Sequence, residues 1–382
     1  MIIKSLLDTD MYKLTMLQII WKHYRDIPVE FALINRSGTD LGKRMDVGEL
    51  RVQLQNVALL HFTEWDIEYL GSIVAGGRKV FDPEFLDALK TYKFSSFKLT
   101  SDFELTFTGS WYETAMWETF ALSIINELWS GPNYEGISRL THKINLLSGS
   151  CPTIVEFGTR RRHSGLWHQY VIEYLVKHYL QGLKGTSNLY YAQMYGLQPM
   201  GTMAHELFMV RAAHEWAKSH NVEKMRDTHR EILDLWYYEY GSPMSLMLTD
   251  TFGSDFFFKD ITPMQAYAWK GLRQDSGSPF VFTNKALELY RTRNVNPKDK
   301  TIVYSDGLTA DSILAIQEYA GDRISTCFGW GTNLTNDVGE EPPSLVIKAM
   351  KAQGEPTLKL SDTPGKTTGD TALVDFYRKV FA

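Results

Sequence analysis

Two short segments of this sequence carry the residue types of acid–base or nucleophilic work: Ala204-His205-Glu206 and Thr249-Asp250-Thr251. A carboxylate that accepts a hydrogen bond from one imidazole nitrogen fixes the tautomer and leaves the other nitrogen as base or nucleophile. A lone histidine is also a common structural residue, and the pattern leaves both readings open. Arg273-Gln274-Asp275-Ser276-Gly277 sets a fixed cation beside an acid. Arginine forks onto carboxylate or phosphate. Asp275 suits ribose hydroxyls or a hydrated Mg²⁺, an ion held by carboxylates and water; alternatively the two side chains simply pair at the surface. Ser305-Asp306-Gly307 and Phe328-Gly329-Trp330-Gly331-Thr332 are glycine turns. Exposed N–H groups at such turns cradle phosphate, although tight turns also occur without that role. Glu156-Phe157-Gly158-Thr159-Arg160-Arg161-Arg162-His163 holds the densest run of cations. Its Phe157 offers a face for a planar ligand or plugs a strand end. Tyr12 has the same two readings, with its spacing favouring the core.

Elements must bring these segments together. Asp8 or Thr9 can cap a helix in which Met11, Leu14, Leu17, Trp21 and Tyr24 recur at helical spacing. Val29–Leu33 and Phe103, Leu105 and Phe107 alternate as strands. Phe81-Asp82-Pro83 opens a helix with proline at its first position, and an amphipathic helix covers about Glu113 to Trp129. After Ser150, short apolar strands end in polar or glycine turns and are mostly followed by helices. They read Thr153–Val155, a stretch near Leu183, Met200–Met203, Leu246–Leu248, Ala268–Leu272, Thr301–Tyr304, Ile324–Phe328 and Leu345–Ile347. Alternation of this kind implies parallel pairing through right-handed crossovers. About eight units predict a closed or distorted β/α barrel, with a doubly wound open sheet as the other arrangement of the same pattern. In a barrel the carboxyl ends of the strands share one mouth, so seven chemically loaded turns, the six segments above and Gly185-Thr186-Ser187-Asn188, would meet there.

Composition narrows the class. A formal net charge of −5 offers no broad positive field for nucleic acid, so an anionic ligand requires a local cluster. Two cysteines, Cys151 and Cys327, cannot build a disulfide framework. No apolar run reaches the ~20 residues of a membrane span, and the first residues lack the pattern of a secretory signal. The expectation is a cytoplasmic protein that binds neither nucleic acid nor membrane. Pro364-Gly365-Lys366-Thr367 ends like a P-loop, but Leu360 stands where its first glycine belongs.

Taken in order, six motifs resemble the bacterial nicotinate phosphoribosyltransferases. They are Leu6-Leu7-Asp8-Thr9-Asp10-Met11-Tyr12-Lys13, Glu156-Phe157-Gly158-Thr159-Arg160-Arg161, Gly185-Thr186-Ser187-Asn188, Gly201-Thr202-Met203-Ala204-His205-Glu206, Leu272-Arg273-Gln274-Asp275-Ser276-Gly277 and Lys359-Leu360-Ser361-Asp362-Thr363-Pro364-Gly365-Lys366. The resemblance runs from about residue 5 to the C-terminus. It implies an α/β fold, an irregular β/α barrel with an N-terminal α/β open-faced sandwich domain. The expected domains are a sandwich over 1–145, completed by part of the C-terminal segment, a catalytic barrel over 146–350, and a C-terminal segment over 351–382.

The resemblance further implies transfer of a phosphoribosyl group from phosphoribosyl pyrophosphate to nicotinate, with Mg²⁺, and with ATP as co-substrate. Nicotinate mononucleotide and pyrophosphate are the products. His205 corresponds to the histidine that ATP phosphorylates and Asp250 to its orienting partner. Phe157 corresponds to one face of a ring sandwich, and Tyr12 to the other, supplied from the neighbouring subunit of a homodimer whose active sites lie at the interface. Arg160 and Arg273 correspond to ligands of pyrophosphate or the nicotinate carboxylate, and Asp275 to a ribose or metal contact. Gly307, Gly329, Gly331 and Thr332 correspond to a 5′-phosphate cradle, with Lys366 a further phosphate contact. In the similar nicotinamide phosphoribosyltransferases an aspartate follows the Gly-Thr turn; here it is Ser187, a neutral donor, which reads as selectivity for the acid. The competing readings are a nicotinamide or quinolinate phosphoribosyltransferase and a non-catalytic phosphate-ligand-binding protein.

Overall fold

Alternating apolar residues from Val29 build the strand Pro28–Asn35, which pairs antiparallel with Leu105–Ser110, Phe31 opposite Phe107. Ser96–Leu99 extends this sheet on one side, and the strand beginning at Leu345 extends it on the other. The computed structural model describes residues 1–363, 367 and 369–382; Lys366, singled out by its motif, lies outside the described residues. The chain divides into two compact units, Met1–Gly201 with Trp330–Lys348, and Thr202–Gly329 with Ala349–Ala382.

In the first unit the opening helix is Met11–His23, with Asp10 rather than Asp8 or Thr9 at the N-cap position and no side-chain capping bond there. Asp8 is taken by Arg162, and the Thr9 hydroxyl lies 2.6 Å from that of Thr119. Phe103 falls outside its expected strand, in a turn at φ 61°. The expected helix from Glu113 divides into Trp111–Thr114 and Trp117–Trp129, because Ser110 and Glu113 close a capping box that starts a separate turn. Phe107 and Trp117 stack with centroids 4.9 Å apart, and Trp111 is fully buried nearby in sequence, which places several of the many aromatic residues in the core.

The parallel strands number six among the described residues, against about eight expected. Ile154–Glu156 and Leu183–Thr186 pair in the first unit. Leu246–Leu248, Gly271–Gln274, Thr301–Tyr304 and Ser325–Trp330 pair successively in the second. Met200–Met203 is no strand. Only Pro199 bridges to Thr186, and at Gly201 an added Cβ would lie 2.9 Å from the Tyr12 nitrogen, so the chain passes tightly over the first helix instead of pairing. Leu345–Ala352 joins the antiparallel sheet. The strand placed at Ala268 begins only at Gly271, because Thr262, Gln265 and Pro263 initiate the helix Pro263–Ala268. The architecture is nonetheless the α/β class, strand–helix repeats of barrel type together with an antiparallel sheet and its helices. No helix among the described residues is long and apolar enough to cross a membrane.

Candidate active site

Parallel register brings the second unit's loaded turns side by side. Leu248 pairs with Arg273, and Tyr304 with Gln274. Two residues past Leu248 is Asp250, two past Arg273 is Asp275, and one past Tyr304 is Ser305, so all three emerge at one sheet end. His205 is the first residue of the helix His205–Ser219. Its Nδ1 lies 2.9 Å from the Thr251 hydroxyl, and its Nε2 lies 2.9 Å from Asp275 Oδ2 and 3.8 Å from Asp250 Oδ1. The imidazole's nearest carboxylate is therefore Asp275, with Asp250 behind it.

Cations lace the two acids together. Lys359 Nζ is 2.8 Å from Asp250 Oδ2 and 2.8 Å from His205 Nε2. Arg273 donates through Nε to Ser305 at 2.9 Å, through one terminal nitrogen to Thr202 at 2.9 Å, and through the other to Asp275 at 3.0 Å. Ser305 and Ser276 hydroxyls donate to Asp275 and Asp250 at 2.7 and 2.6 Å. Burial pushes the Asp275 carboxyl up, but Arg273, together with the neighbouring His205 and Lys359, outweighs it and holds Asp275 well below the ordinary carboxylate range. Asp250 is likewise held low by Lys359 and His205 against burial. Burial and then Lys359 push the His205 imidazole below its ordinary value, against the pull of both acids. Its place at the positive end of a helix works in the same direction. His205 and Asp275 side chains each remain 19% exposed, so the neutral imidazole is reachable by a ligand.

His205, Asp250 and Asp275 offer ligand atoms within 4.8 Å of one another, spacing that a divalent ion requires. A resident ion nevertheless fits poorly, because each carboxylate already has its own cation, Lys359 or Arg273, at 2.8–3.0 Å.

A second polar cluster forms within the first unit, where residues 7–11 thread along the turn at 186–190. Met11 N–H donates to the Ser187 carbonyl and Leu189 N–H to that of Thr9. Asp8 receives both terminal nitrogens of Arg162 at 2.6 and 2.7 Å and the Asn188 amide at 2.8 Å. Asp10 receives the Ser187 hydroxyl at 2.6 Å. Arg160 reaches Glu118 at 2.7 Å and Asp10 at 3.5 Å, and its guanidinium stands 5.4 Å from the centre of the Tyr12 ring. Glu118 also accepts from Lys13 and the Tyr12 hydroxyl. Burial raises the Glu118 carboxyl, yet Lys13 and Arg160 bring it down to about 2. Asp10 moves the other way, raised by burial that Arg160 and Ser187 do not fully offset.

The family model described as the nicotinate phosphoribosyltransferase family matches residues 153–382, and that of its N-terminal domain matches residues 7–126. The chain belongs to the nicotinate phosphoribosyltransferase family. A nicotinate phosphoribosyltransferase structure from Vibrio cholerae is 30% identical, with a TM-score of 0.90 over 100% of this chain and 94% of that one. One from Porphyromonas gingivalis is 29% identical, with a TM-score of 0.88 and 100% of both chains covered. A structure from Saccharomyces cerevisiae described as a putative nicotinate phosphoribosyltransferase is 29% identical over 99% of this chain and 98% of that one, also at 0.88.

Within this family member, His205, Asp250, Arg273 and Asp275 stand together in the second unit, and Tyr12, Arg160 and Ser187 surround Asp10 and Glu118 in the first. The Arg273–Asp275 pair is no surface salt bridge, since both are largely enclosed. Arg162 is wholly buried on Asp8, whereas the Arg160 side chain is 35% exposed, so Arg160 is the cation of the two with a face to offer. Phe157 is half-buried just before Gly158. Gly307 follows its strand at φ 59° with open space where a Cβ would stand. Gly329 lies inside the strand Ser325–Trp330, and Gly331 caps the short helix Thr332–Thr335, so the turn starts two residues later than its glycines suggest. Sequence reasoning passed over Lys359, Thr251, Asp10 and Glu118. Lys359, Asp10 and Thr251 lie inside segments already conspicuous; nothing in the local sequence distinguishes Glu118.

Proposed function

We propose that this chain transfers the 5-phosphoribosyl group from phosphoribosyl pyrophosphate to nicotinate, coupled to ATP hydrolysis through a phosphohistidine at His205. The observation that carries the proposal is a neutral, reachable imidazole gripped on both nitrogens, with Asp250, Asp275, Arg273 and Lys359 within one network. In the transfer, the nicotinate ring nitrogen bonds to the anomeric carbon as the bond to pyrophosphate breaks. The ribose gains oxocarbenium character, and positioning supplies most of the acceleration. In the coupled step, an imidazole nitrogen without hydrogen takes the γ-phosphoryl of ATP. The P–O bond to the β-phosphate breaks, and ADP leaves with the electron pair. The new phosphoryl adds roughly −1.5 to −2 charges beside Arg273 and Lys359, which reorders the cations that meet phosphoribosyl pyrophosphate. Water later releases phosphate.

Phe157 and Tyr12 are assigned to the nicotinate ring, Arg160 and Arg273 to the carboxylate and pyrophosphate, and Asp275 to ribose. Gly307, Gly329, Gly331 and Thr332 are assigned to the 5′-phosphate. Mg²⁺ enters with the pyrophosphate, and no step is assigned to a protein-bound ion. The working assembly is a homodimer in which Tyr12 serves the neighbouring subunit. Mixing Tyr12→Ala and His205→Ala proteins tests this, since a shared site restores activity in hybrid dimers and a self-contained one does not.

Turnover of nicotinate, nicotinamide and quinolinate, each with and without ATP, tests the reaction. Nicotinate should lead, and ATP should stimulate it. His205→Ala should lose the stimulation while slow ATP-independent transfer persists. Incorporation of ³²P from γ-labelled ATP into the His205→Ala protein would show that another residue is the acceptor.

A further inference from the structure

We infer that Lys359 is a positioning residue for the His205 centre, selecting the tautomer in which Nε2 is an acceptor and Nδ1 carries the hydrogen. The inference rests on the phosphohistidine reading for its consequence, though not for its geometry. Nε2 faces two incompatible partners. Asp275 Oδ2 at 2.9 Å can only accept, and the Lys359 ammonium at 2.8 Å can only donate. A neutral ring cannot satisfy both at Nε2. The Thr251 hydroxyl at Nδ1 does not decide the matter, because a hydroxyl serves as donor or acceptor.

Other contacts break the tie. Asp275 has no need of the imidazole: Arg273 and Ser305 already donate to its Oδ1, and Lys359 stands 3.9 Å from its Oδ2. Lys359 is fixed where it is by Asp250 at 2.8 Å, and Asp250 is fully buried and held in turn by Ser276. The backbone around Lys359 is tied down as well. Leu360 N–H donates to the Thr251 carbonyl, Asp362 N–H to the Ser276 hydroxyl, and Gly277 N–H to the Thr363 hydroxyl. Asp362 in return accepts from the Ser254 N–H at 2.8 Å and from its hydroxyl. This strap, residues 358–363, lies on the turns that bear Asp250 and Asp275, and it delivers an ammonium to the imidazole. Moving Lys359 off Nε2 would uncover Asp250, whereas withdrawing the imidazole hydrogen from Asp275 costs one bond among several.

The imidazole ¹⁵N spectrum of full-length protein without nucleotide tests the inference directly. The wild type and Lys359→Arg should show Nε2 unprotonated and Nδ1 protonated. Lys359→Met, which keeps the stem and removes the charge, should swap the two as Nε2–H turns to Asp275. ATP-linked stimulation of Lys359→Met should fall roughly tenfold or more, a loss typical of misplaced reacting groups, and Lys359→Arg should recover part of it. Nε2 protonated in the wild type, or identical spectra for wild type and Lys359→Met, overturns the assignment. Should Lys359→Met fail to fold, the wild-type and Lys359→Arg spectra still decide, because both must show an unprotonated Nε2. A tautomer swap together with absent ³²P labelling of wild-type His205 instead refutes the phosphohistidine reading and leaves the role of Lys359 in place.

Discussion

Replacing Arg162 by methionine should wreck stability, while the same change at Arg160 should wreck binding. Arg162 is fully buried and forks onto Asp8, so Arg162→Met strands a buried carboxylate. Breaking one side of such a pair costs about 3–5 kcal/mol. Each kcal/mol moves the midpoint of a unit of roughly 200 residues by about 2–4 °C, giving a fall of about 6–20 °C. Arg160 is 35% exposed, and its partner Glu118 retains Lys13, so Arg160→Met should shift the midpoint by no more than about 1 kcal/mol equivalent. Its effect belongs in the KM for nicotinate or phosphoribosyl pyrophosphate. Differential scanning calorimetry and steady-state kinetics on the two variants separate these outcomes. A further variant checks the cause: Asp8→Leu with Arg162→Met removes both charges and should regain much of the loss, because replacing a whole buried pair by apolar groups is often near neutral. Wild-type melting of Arg162→Met with a raised KM, or an equal collapse of Arg160→Met, refutes the division of labour.

Further outcomes follow from the same contacts. Glu118, lowered from 4.5 to about 2, contributes stability that is complete above pH 4.5 and is lost as pH falls toward 2, roughly 3 kcal/mol in all. Urea melts at pH 6 and pH 3 should show about 2 kcal/mol of that loss in the wild type, the rest falling below pH 3, and a much smaller one in Glu118→Gln. Ser187→Asp puts a carboxylate where a hydroxyl now donates to Asp10 at 2.6 Å, costing about 1–4 kcal/mol of like-charge repulsion. It should melt lower and use nicotinate less well relative to nicotinamide; an unchanged substrate ratio removes Ser187 from the selectivity argument. Gly158→Ala would drive a methyl to 2.1 Å from the Thr335 hydroxyl, costing about 1–3 kcal/mol. It should also displace Arg160, read as a rise in KM that Thr335→Ala, which removes the hydroxyl and the methyl, partly relieves.

Much of the site was legible because its residues follow strands, and a strand end is visible as an apolar run meeting polar residues. Asp250, Asp275 and Ser305 could be aligned that way, since parallel register carries equal offsets to equal heights. Strand count was less legible. Met200–Met203 and Leu345–Ile347 have the apolar content of barrel strands, but local hydrophobicity does not say which edge a segment will pair with. The selectivity argument at Ser187 also changes with the fold, because its hydroxyl is already engaged by Asp10, a residue 177 positions away.

By itself, the order of residues determined the α/β alternation, the family motifs and the chemistry on offer: one imidazole, paired acids, clustered guanidinium groups and glycine turns. Those properties are local, set by side-chain type and by the period of the chain. Only the tertiary structure decided which arginine is buried and which is offered, which acid stands nearest His205, and that Lys359 contests its Nε2. Such choices depend on distances between residues remote in sequence and on how much water each charge loses, and both come into being only when the chain has folded.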